Sequence, residues 1–417
     1  MSTTAPPPSA SPTPAKQLGF REVFAIAGVR RLWIAQFVSI MGDFLALFAI
    51  LSVASFRLHA TPEQVTLISV AYMLPMALIG PVAGVFVDRW NVKATMIASD
   101  LVRFGLALLL VFARDLTSFY FLLFALSFVS TFFSPAQSVT VRTLVPQEGL
   151  LTANALIMQA FLVTRIVSPA IAGALVGAFG PESCFYYDAL SFLFSALMLS
   201  GIAIHRTAAV ASKGVVAVLK DLAGGMRFLF DTPALSFVIL AMGAGFFVLS
   251  CFGPLIAIYV RDFLSAGPLA FGILSALIGV GMLVGTTLLR RFGTVMSNEK
   301  MVLVGLLLLG GSVCLMASVR FVSTTAVSTF GLGFGVAFII TPAQALMQGK
   351  TPVTMVGRVS SSFMSVIAIS QMLGLVLSGS VAERIGIRNL FFACAGLLAA
   401  IAVAGYFRLP KEAEAPA

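Results

Sequence analysis

Twelve apolar runs of membrane-spanning length fill this chain and leave it few ways to fold. A helix needs about 20 apolar residues to cross a bilayer core. Runs of that size fall at 32–56, 65–87, 94–113, 117–139, 153–179, 184–204, 234–257, 269–289, 300–318, 324–346, 359–381 and 389–407. Of the 417 residues, 59% are hydrophobic and 10% charged, whereas soluble domains carry about 25% charged residues. A soluble protein has no way to cover that much apolar surface. The chain therefore reads as an all-α integral membrane protein of twelve transmembrane helices, and its short loops make neighbouring helices antiparallel.

The basic residues fix the expected orientation. Eighteen Lys and Arg fall on the side that carries the amino terminus, six on the opposite side, and Arg103 and Arg165 lie inside spans. Basic loops stay in the cytoplasm, so both termini are expected there. The net charge of +10 thus belongs to membrane topology, and no nucleic-acid partner is expected.

One connection is long. Residues 205–233 carry His205, Arg206, Lys213, Lys220, Asp221, Arg227 and Asp231, and the second half reads as amphipathic. This linker separates a bundle at 31–204 from a bundle at 234–408, with a tail at 409–417. Residues 1–30 read as a disordered Pro-, Ser- and Thr-rich tail plus a short interfacial helix from Lys16 to Val29. The two halves resemble each other. Ser134-Pro135-Ala136-Gln137 ends span 4, and Thr341-Pro342-Ala343-Gln344 ends span 10. Gly80 and Gly84 close span 2; Gly281 and Gly285 close span 8, with Arg290-Arg291 where the first half has Asp88-Arg89. Such a repeat implies two six-helix bundles related by an axis along the membrane normal.

Charges inside spans are costly and mark function, and all of them sit in the first half. Asp43 and Arg165 each lie about eleven residues into spans 1 and 5, roughly 16 Å deep at ~1.5 Å per residue. Equal depth permits pairing, and a carboxylate that gains and loses a cationic neighbour takes up and releases a proton. Asp43 and Arg165 are therefore the candidate proton-coupling pair; the alternatives are a permanent structural pair or two charges that never meet. Asp100 and Arg103 share a face of span 3 near its cytoplasmic end and are expected to join Asp88 and Arg89. Asp188 lies about one turn into span 6, as an outer gate or a hydrated helix end. Phe132, Phe133, Phe246 and Phe247 are candidates for lining a cavity between spans 4 and 7, with Gln137 and Gln344 as polar contacts. A greasy cavity of that kind suits bulky amphipathic molecules.

The stretch from Gly80 to Lys93 resembles the signature loop of the major facilitator superfamily, in which a Gly-rich helix end is followed by Asp-Arg and basic residues. Here Asn91 and Val92 replace the usual Gly and first basic residue, and Lys93 remains. Arg31-Leu32-Trp33 with Gly42-Asp43, Met96 to Asp100, Leu144-Val145-Pro146, Ala153-Asn154-Ala155, Arg165 and Asp188 to Phe192 resemble the proton-linked drug exporters of that superfamily, the branch of the macrolide-efflux and enterobactin exporters. The resemblance implies a conformational latch in which Gly80, Gly84, Asp88, Arg89, Asp100, Arg103 and Arg358 hold the bundles together while the site faces outward. Ser168, Pro169, Gly173 and Gly177 resemble the antiporter motif of such exporters, with Ser168 in place of a Gly. Small residues there let span 5 pack against the other bundle, where Gly374 and Gly379 of span 11 are at a related position.

These readings favour a secondary active exporter of hydrophobic or amphipathic small molecules, drug-, macrolide- or siderophore-like, working by proton antiport and alternating access as a monomer in a bacterial inner membrane. A lipid or metabolite importer on the same fold is the alternative transport reading. A membrane enzyme or receptor is disfavoured: His59 and His205 lie on opposite sides, no phosphate-binding Gly-x-x-x-x-Gly-Lys loop is present, and no soluble domain follows. Four scattered cysteines and two histidines give no metal or cofactor set.

Overall fold

Local side-chain chemistry sets where the spans begin and end. The Asn91 side chain accepts from the Ala94 N–H at 3.1 Å and starts one helix. Asp115 starts the next by accepting from the Ser118 N–H at 2.9 Å and its hydroxyl at 2.8 Å. These bonds hold the Asp115 carboxyl below its ordinary range. Two helices end at Gly180 (φ 85°) and Gly386 (φ 84°), where only glycine turns without strain. Those two ends occupy matching places in the two halves.

The computed structural model describes residues 17–87, 89–203, 215–292, 296–352 and 355–408. Its helices are α1 (Phe20–Ala25), α2 (Ala27–Ser52, extended by a π turn at Val53–Arg57), α3 (Pro62–Val87), α4 (Val92–Leu110), α5 (Leu116–Leu144), α6 (Leu150–Phe179), α7 (Glu182–Ser200), α8 (Val215–Asp231), α9 (Pro233–Asp262), α10 (Pro268–Phe292), α11 (Asn298–Ser318), α12 (Val322–Lys350), α13 (Val356–Ile385) and α14 (Ile387–Arg408). Among the described residues, eleven helices are long and apolar enough to cross a membrane. The twelfth expected span, α4, has the length but carries Lys93, Asp100 and Arg103. It packs on α5 and α7, which bury its charged face, and leaves Leu101, Val102 and Leu109 exposed.

The helix expected from Lys16 to Val29 is instead broken. α1 stops at Ala25, Ile26 is extended (φ −65°, ψ 113°), and α2 starts at Ala27. The amphipathic second half of the linker is α8, which packs on α13: the Ser362 hydroxyl donates to the Leu222 carbonyl at 2.9 Å. The expected tails at 1–16 and 409–417 and the first part of the linker lie outside the described residues.

In the first half α2 packs on α6 and α7, and α3 on α5; in the second, α12 packs on α10 and α11, and α9 on α13. The halves meet through α6 on α10 and α3 on α13. These contacts run from mid-membrane to the side opposite the termini. A Cβ on Gly173 would lie 3.0 Å from Gly272 Cα; one on Gly379 would lie 2.8 Å from Glu63 Cα. Phe48 and Phe271 stack at 4.2 Å, and Arg261 donates to the Ser55 carbonyl at 2.5 Å. The Thr61 hydroxyl donates to Glu383 and the Ser380 hydroxyl to Glu63, both at 3.3 Å. On the side of the termini, Gly80 and Gly84 have no atom within 4 Å of where a Cβ would sit. The contacts named between the halves seal the far side; the terminal side, where Gly80 and Gly84 meet no neighbour, is read as the splayed one.

The partner of Gly173 is thus Gly272 on α10 and not a glycine of α13; Gly374 packs instead on the Phe247 carbonyl of α9, and Gly177 faces open space. Replacing Gly173 with Leu should cost ~1–3 kcal/mol through overpacking, read as a lower thermal midpoint of the purified protein. Gly177→Leu should leave the midpoint unchanged, and equal effects from the two would contradict this packing.

Candidate functional site

The buried charges of the first half converge on one guanidinium. Arg103, on α4, forms an ion pair with Asp100 one turn before it, and both are almost fully buried, at 4% and 0% exposure. The Arg103 guanidinium lies between the rings of Phe133 on α5 and Phe192 on α7, at 4.7 and 4.3 Å. Such cation–π contacts gain strength when desolvated. It also reaches the Ser130 hydroxyl at 3.5 Å. Asp188 on α7 is buried at 1% exposure. It arrives beside α2 because residue 42 is glycine: a Cβ there would fall 2.7 Å from Asp188 Oδ1 and 3.0 Å from its Cα. Asp43 is the next residue and is only half-buried. Asp43, Asp188 and Tyr72 of α3 all lie within electrostatic reach of Arg103.

This arrangement differs from the expected one in two respects. Asp43 neighbours Arg103, whereas Arg165 makes no ion pair among the described residues and is exposed. Asp100 and Arg103 lie in the middle of the first bundle with Asp188, not in a loop cluster. Asp188 is not a hydrated helix end, because the Gly42 contact buries it. Asp88 lies outside the described residues. Arg89 is exposed at the splayed end of α3, and Arg358 is exposed at the start of α13.

The α6 helix shows what the splayed side offers. Its buried face, Ala153, Leu156, Ala160, Thr164, Ser168 and Ala172, packs on α2; Ser168 and Pro169 sit here, next to the α10 seal. Two exposed faces remain. Leu151, Asn154, Met158, Phe161 and Arg165 form one, at alternating three- and four-residue spacing. Val163, Val167 and Ile171 form the other, which is purely aliphatic. A guanidinium at mid-bilayer belongs toward an aqueous space and not lipid, so the Arg165 face borders the opening between the halves. Phe161 meets Phe44 of α2 there, with ring centroids 5.6 Å apart.

The aromatic candidates are divided. Phe133 is buried under Arg103, and Phe132 is half-buried between the rings of Trp90 and Phe128. Gln137 is half-buried, and its Nε2 has no hydrogen-bond partner among the described residues. In the second half Phe246 borders a small apolar pocket with Met242, Leu249, Val336 and Ile339. Phe247 is half-buried against α13, and Gln344 is exposed on α12. Tyr72 and Ser130 escaped sequence reasoning, since nothing in their own spacing marks them as neighbours of a charge; Phe192 entered it only as the last residue of the Asp188-to-Phe192 match.

Two six-helix halves sealed on one side and open on the other, with titratable groups in one of them, define a transporter of the major facilitator type. The chain belongs to the transmembrane secretion effector family of that superfamily, whose pattern it matches over residues 22–417. It is 30% identical over 382 residues to YfiS, an uncharacterised transporter of the superfamily from Bacillus subtilis, covering 89% of this chain and 90% of that one. It is 26% identical to macrolide efflux protein A of Streptococcus pyogenes (89% and 93% covered). With the multidrug efflux pump Tap of Mycolicibacterium fortuitum it shares 25% identity (84% and 88% covered). The nucleoside transporter NupG shares the fold with a TM-score of 0.72 at 14% identity, over 92% of this chain and 99% of that one. A bacterial homologue of the lysosomal transporter Spinster does so with a TM-score of 0.72 at 13% identity, over 91% and 96%.

Arg103→Met should be strongly destabilising, by ~3–5 kcal/mol, because it leaves buried carboxylates without their cation. Adding Asp100→Asn should recover part of that loss. Arg165→Met should leave stability unchanged. Thermal midpoints of the four purified proteins check all three outcomes together.

Proposed function

We propose that the protein is a secondary active exporter that moves hydrophobic or amphipathic small molecules out of a bacterial cell by proton antiport and alternating access. The observation that carries this reading is the position of Asp43. It is the half-buried member of a cluster whose other carboxylates, Asp100 and Asp188, are buried, and it sits in the half that borders the opening. One guanidinium cannot neutralise three carboxylates, so the cluster has places for exchangeable protons. Arg165, on the face of α6 that borders the opening, is assigned to the cargo side of the mechanism and Arg103 to the proton side.

The bundles at 31–204 and 234–408 are taken as the two rocking units. The excess of Lys and Arg on the terminal side supports cytoplasmic termini, which makes the splayed side the cytoplasmic one. Gly80, Gly84 and Arg89 would then come up against the other bundle only when that side closes, and Arg358 at the start of α13 belongs to the same latch. Exposed Met158 and Phe161 beside Arg165 on α6 support bulky amphipathic cargo such as macrolides, dyes or siderophores. The chemistry is transport by a monomer and not catalysis.

Accumulation of macrolides, dyes and catechol siderophores in cells stripped of their own exporters tests this directly. Expression should lower accumulation of at least one of them several-fold, and a proton uncoupler should restore it. Asp43→Asn should abolish the effect at unchanged membrane abundance. Accumulation that rises on expression and collapses with uncoupler would make the protein an importer. Full export by the Asp43→Asn variant would remove Asp43 from the coupling.

A further inference from the structure

A second feature of α6 has no part in transport as described so far. At its terminal-side end, α1 docks across it. The Leu18 N–H donates to the Glu148 carbonyl at 3.1 Å, and the Thr152 hydroxyl donates to the Leu18 carbonyl at 2.7 Å. Val23 is fully buried against Gly149, whose missing side chain leaves room for it. Phe24 packs edge-on to Trp33 at 5.5 Å, and the Trp33 indole N–H donates to the Leu156 carbonyl at 2.9 Å. α1 is therefore fixed in place, yet it leaves a groove of about 730 Å³ between itself and α6. Phe20, Phe24, Leu156 and Gln159 line it, together with Arg21 and Arg30. Both arginines are exposed. The nearby Glu22 carboxylate is engaged by the Gly19 N–H at 2.7 Å, as a cap on its own helix.

The groove does not end at α1. Ala155 and Gln159 on its wall are followed at four-residue spacing by Val163, Val167 and Ile171, all exposed. This is the aliphatic face of α6, turned away from the opening. From Gln159 to Ile171 is about 18 Å at ~1.5 Å per residue, slightly more than one leaflet of a ~30 Å hydrocarbon core. Two guanidiniums at the membrane surface above an apolar strip one leaflet long match one kind of occupant.

We propose that this groove holds an anionic phospholipid of the terminal-side leaflet, with its phosphate between Arg21 and Arg30 and an acyl chain along Val163, Val167 and Ile171. Guanidinium forks bind phosphate oxygens in pairs. Two cations without an acid turned toward the same headgroup favour an anionic lipid over a zwitterionic one, whose ammonium they repel. A bound lipid would fix α1 and the start of α6 to the membrane surface, whatever the cargo.

The test uses the full chain in nanodiscs of mixed phosphatidylglycerol and phosphatidylcholine, with co-purifying lipid counted by native mass spectrometry. Phosphatidylglycerol should be enriched over its share of the disc. Arg21→Gln and Arg30→Gln should each weaken its retention about fivefold, the worth of one basic residue at an anionic surface, and the pair should weaken it more than tenfold. Arg142→Gln, an exposed arginine on the same side but outside the groove, should change nothing. Lysine at both positions should keep most of the preference, which separates charge from folding. Equal retention of the two lipids, or an equal loss from Arg142→Gln, would overturn the proposal. So would displacement of phosphatidylglycerol by millimolar inorganic phosphate, which would make the groove a plain anion site.

Discussion

The Arg103 guanidinium is the interaction around which the amino-terminal half is organised. A cation at mid-bilayer costs several kcal/mol unless the protein surrounds it. Here α4 supplies both the charge and its first partner, Asp100, while α5 and α7 supply the aromatic faces of Phe133 and Phe192. One side chain thus ties three helices. The fourth is added by Gly42, which lets α2 come close enough to α7 for Asp188 and Asp43 to share the neighbourhood. Asp100 Oδ2, Arg103 Nε and Asp188 Oδ1 are buried without a hydrogen-bond partner among the described residues. Polar valences of that kind are expensive to keep, and they are concentrated where the proposed proton exchange would use them.

The carboxy-terminal half reaches rigidity by another route. Lipid tails are as apolar as Leu, so burial alone does not hold helices together in a bilayer; close backbone approach does. Gly281 and Gly333 bring α10 and α12 to within backbone contact, with the Phe330 and Ile278 carbonyls where their Cβ atoms would be. Gly305 and Gly335 do the same for α11 and α12: a Cβ on either would lie 3.0 Å from the other's carbonyl oxygen. The Tyr259 hydroxyl, fully enclosed, donates to the Met316 carbonyl at 2.7 Å. The repeat in sequence therefore preserves the helix layout and not the means of holding it. Gly281 and Gly285 are packed on α12, whereas their counterparts Gly80 and Gly84 face open space.

The succession of long apolar helices and the matched places of Pro135 and Pro342 were legible because they depend on one-dimensional quantities: run length, loop length and residue position. The charge cluster was legible in membership but not in pairing. Depth along a helix follows from residue number, so Asp43 and Arg165 came out level. The direction in which each points depends on how α2, α4 and α6 are rotated, and that is set by features such as Gly42 that act only once two helices touch. The same limit applies to Phe133, which spacing placed with the cavity candidates and which the guanidinium of a different helix has claimed. The break at Ile26 was hidden because α1 and α2 are both apolar on the same side.

In the proposed cycle the seal on the far side must open and the splayed side must close. The ion pairs Arg57–Glu182, Arg103–Asp100, Arg261–Asp262 and Lys350–Glu299 each lie within one half; the far seal is Gly173 on Gly272, Phe48 on Phe271, Arg261 on the Ser55 carbonyl and a rim of exposed hydrogen bonds. When it parts, Arg261 loses the Ser55 carbonyl but keeps Asp262 beside it, and each rim bond gives up only about 0.5–1.5 kcal/mol. The cluster around Arg103 can therefore travel intact with its own half. What the cluster must then influence is a helix that takes part in both seals. α3 qualifies: Glu63 and Thr66 sit at the far seal, Tyr72 lies beside the charges, and Gly80 and Gly84 lie at the splayed end. A proton gained or lost next to Tyr72 acts on the middle of a lever whose two ends are the two gates.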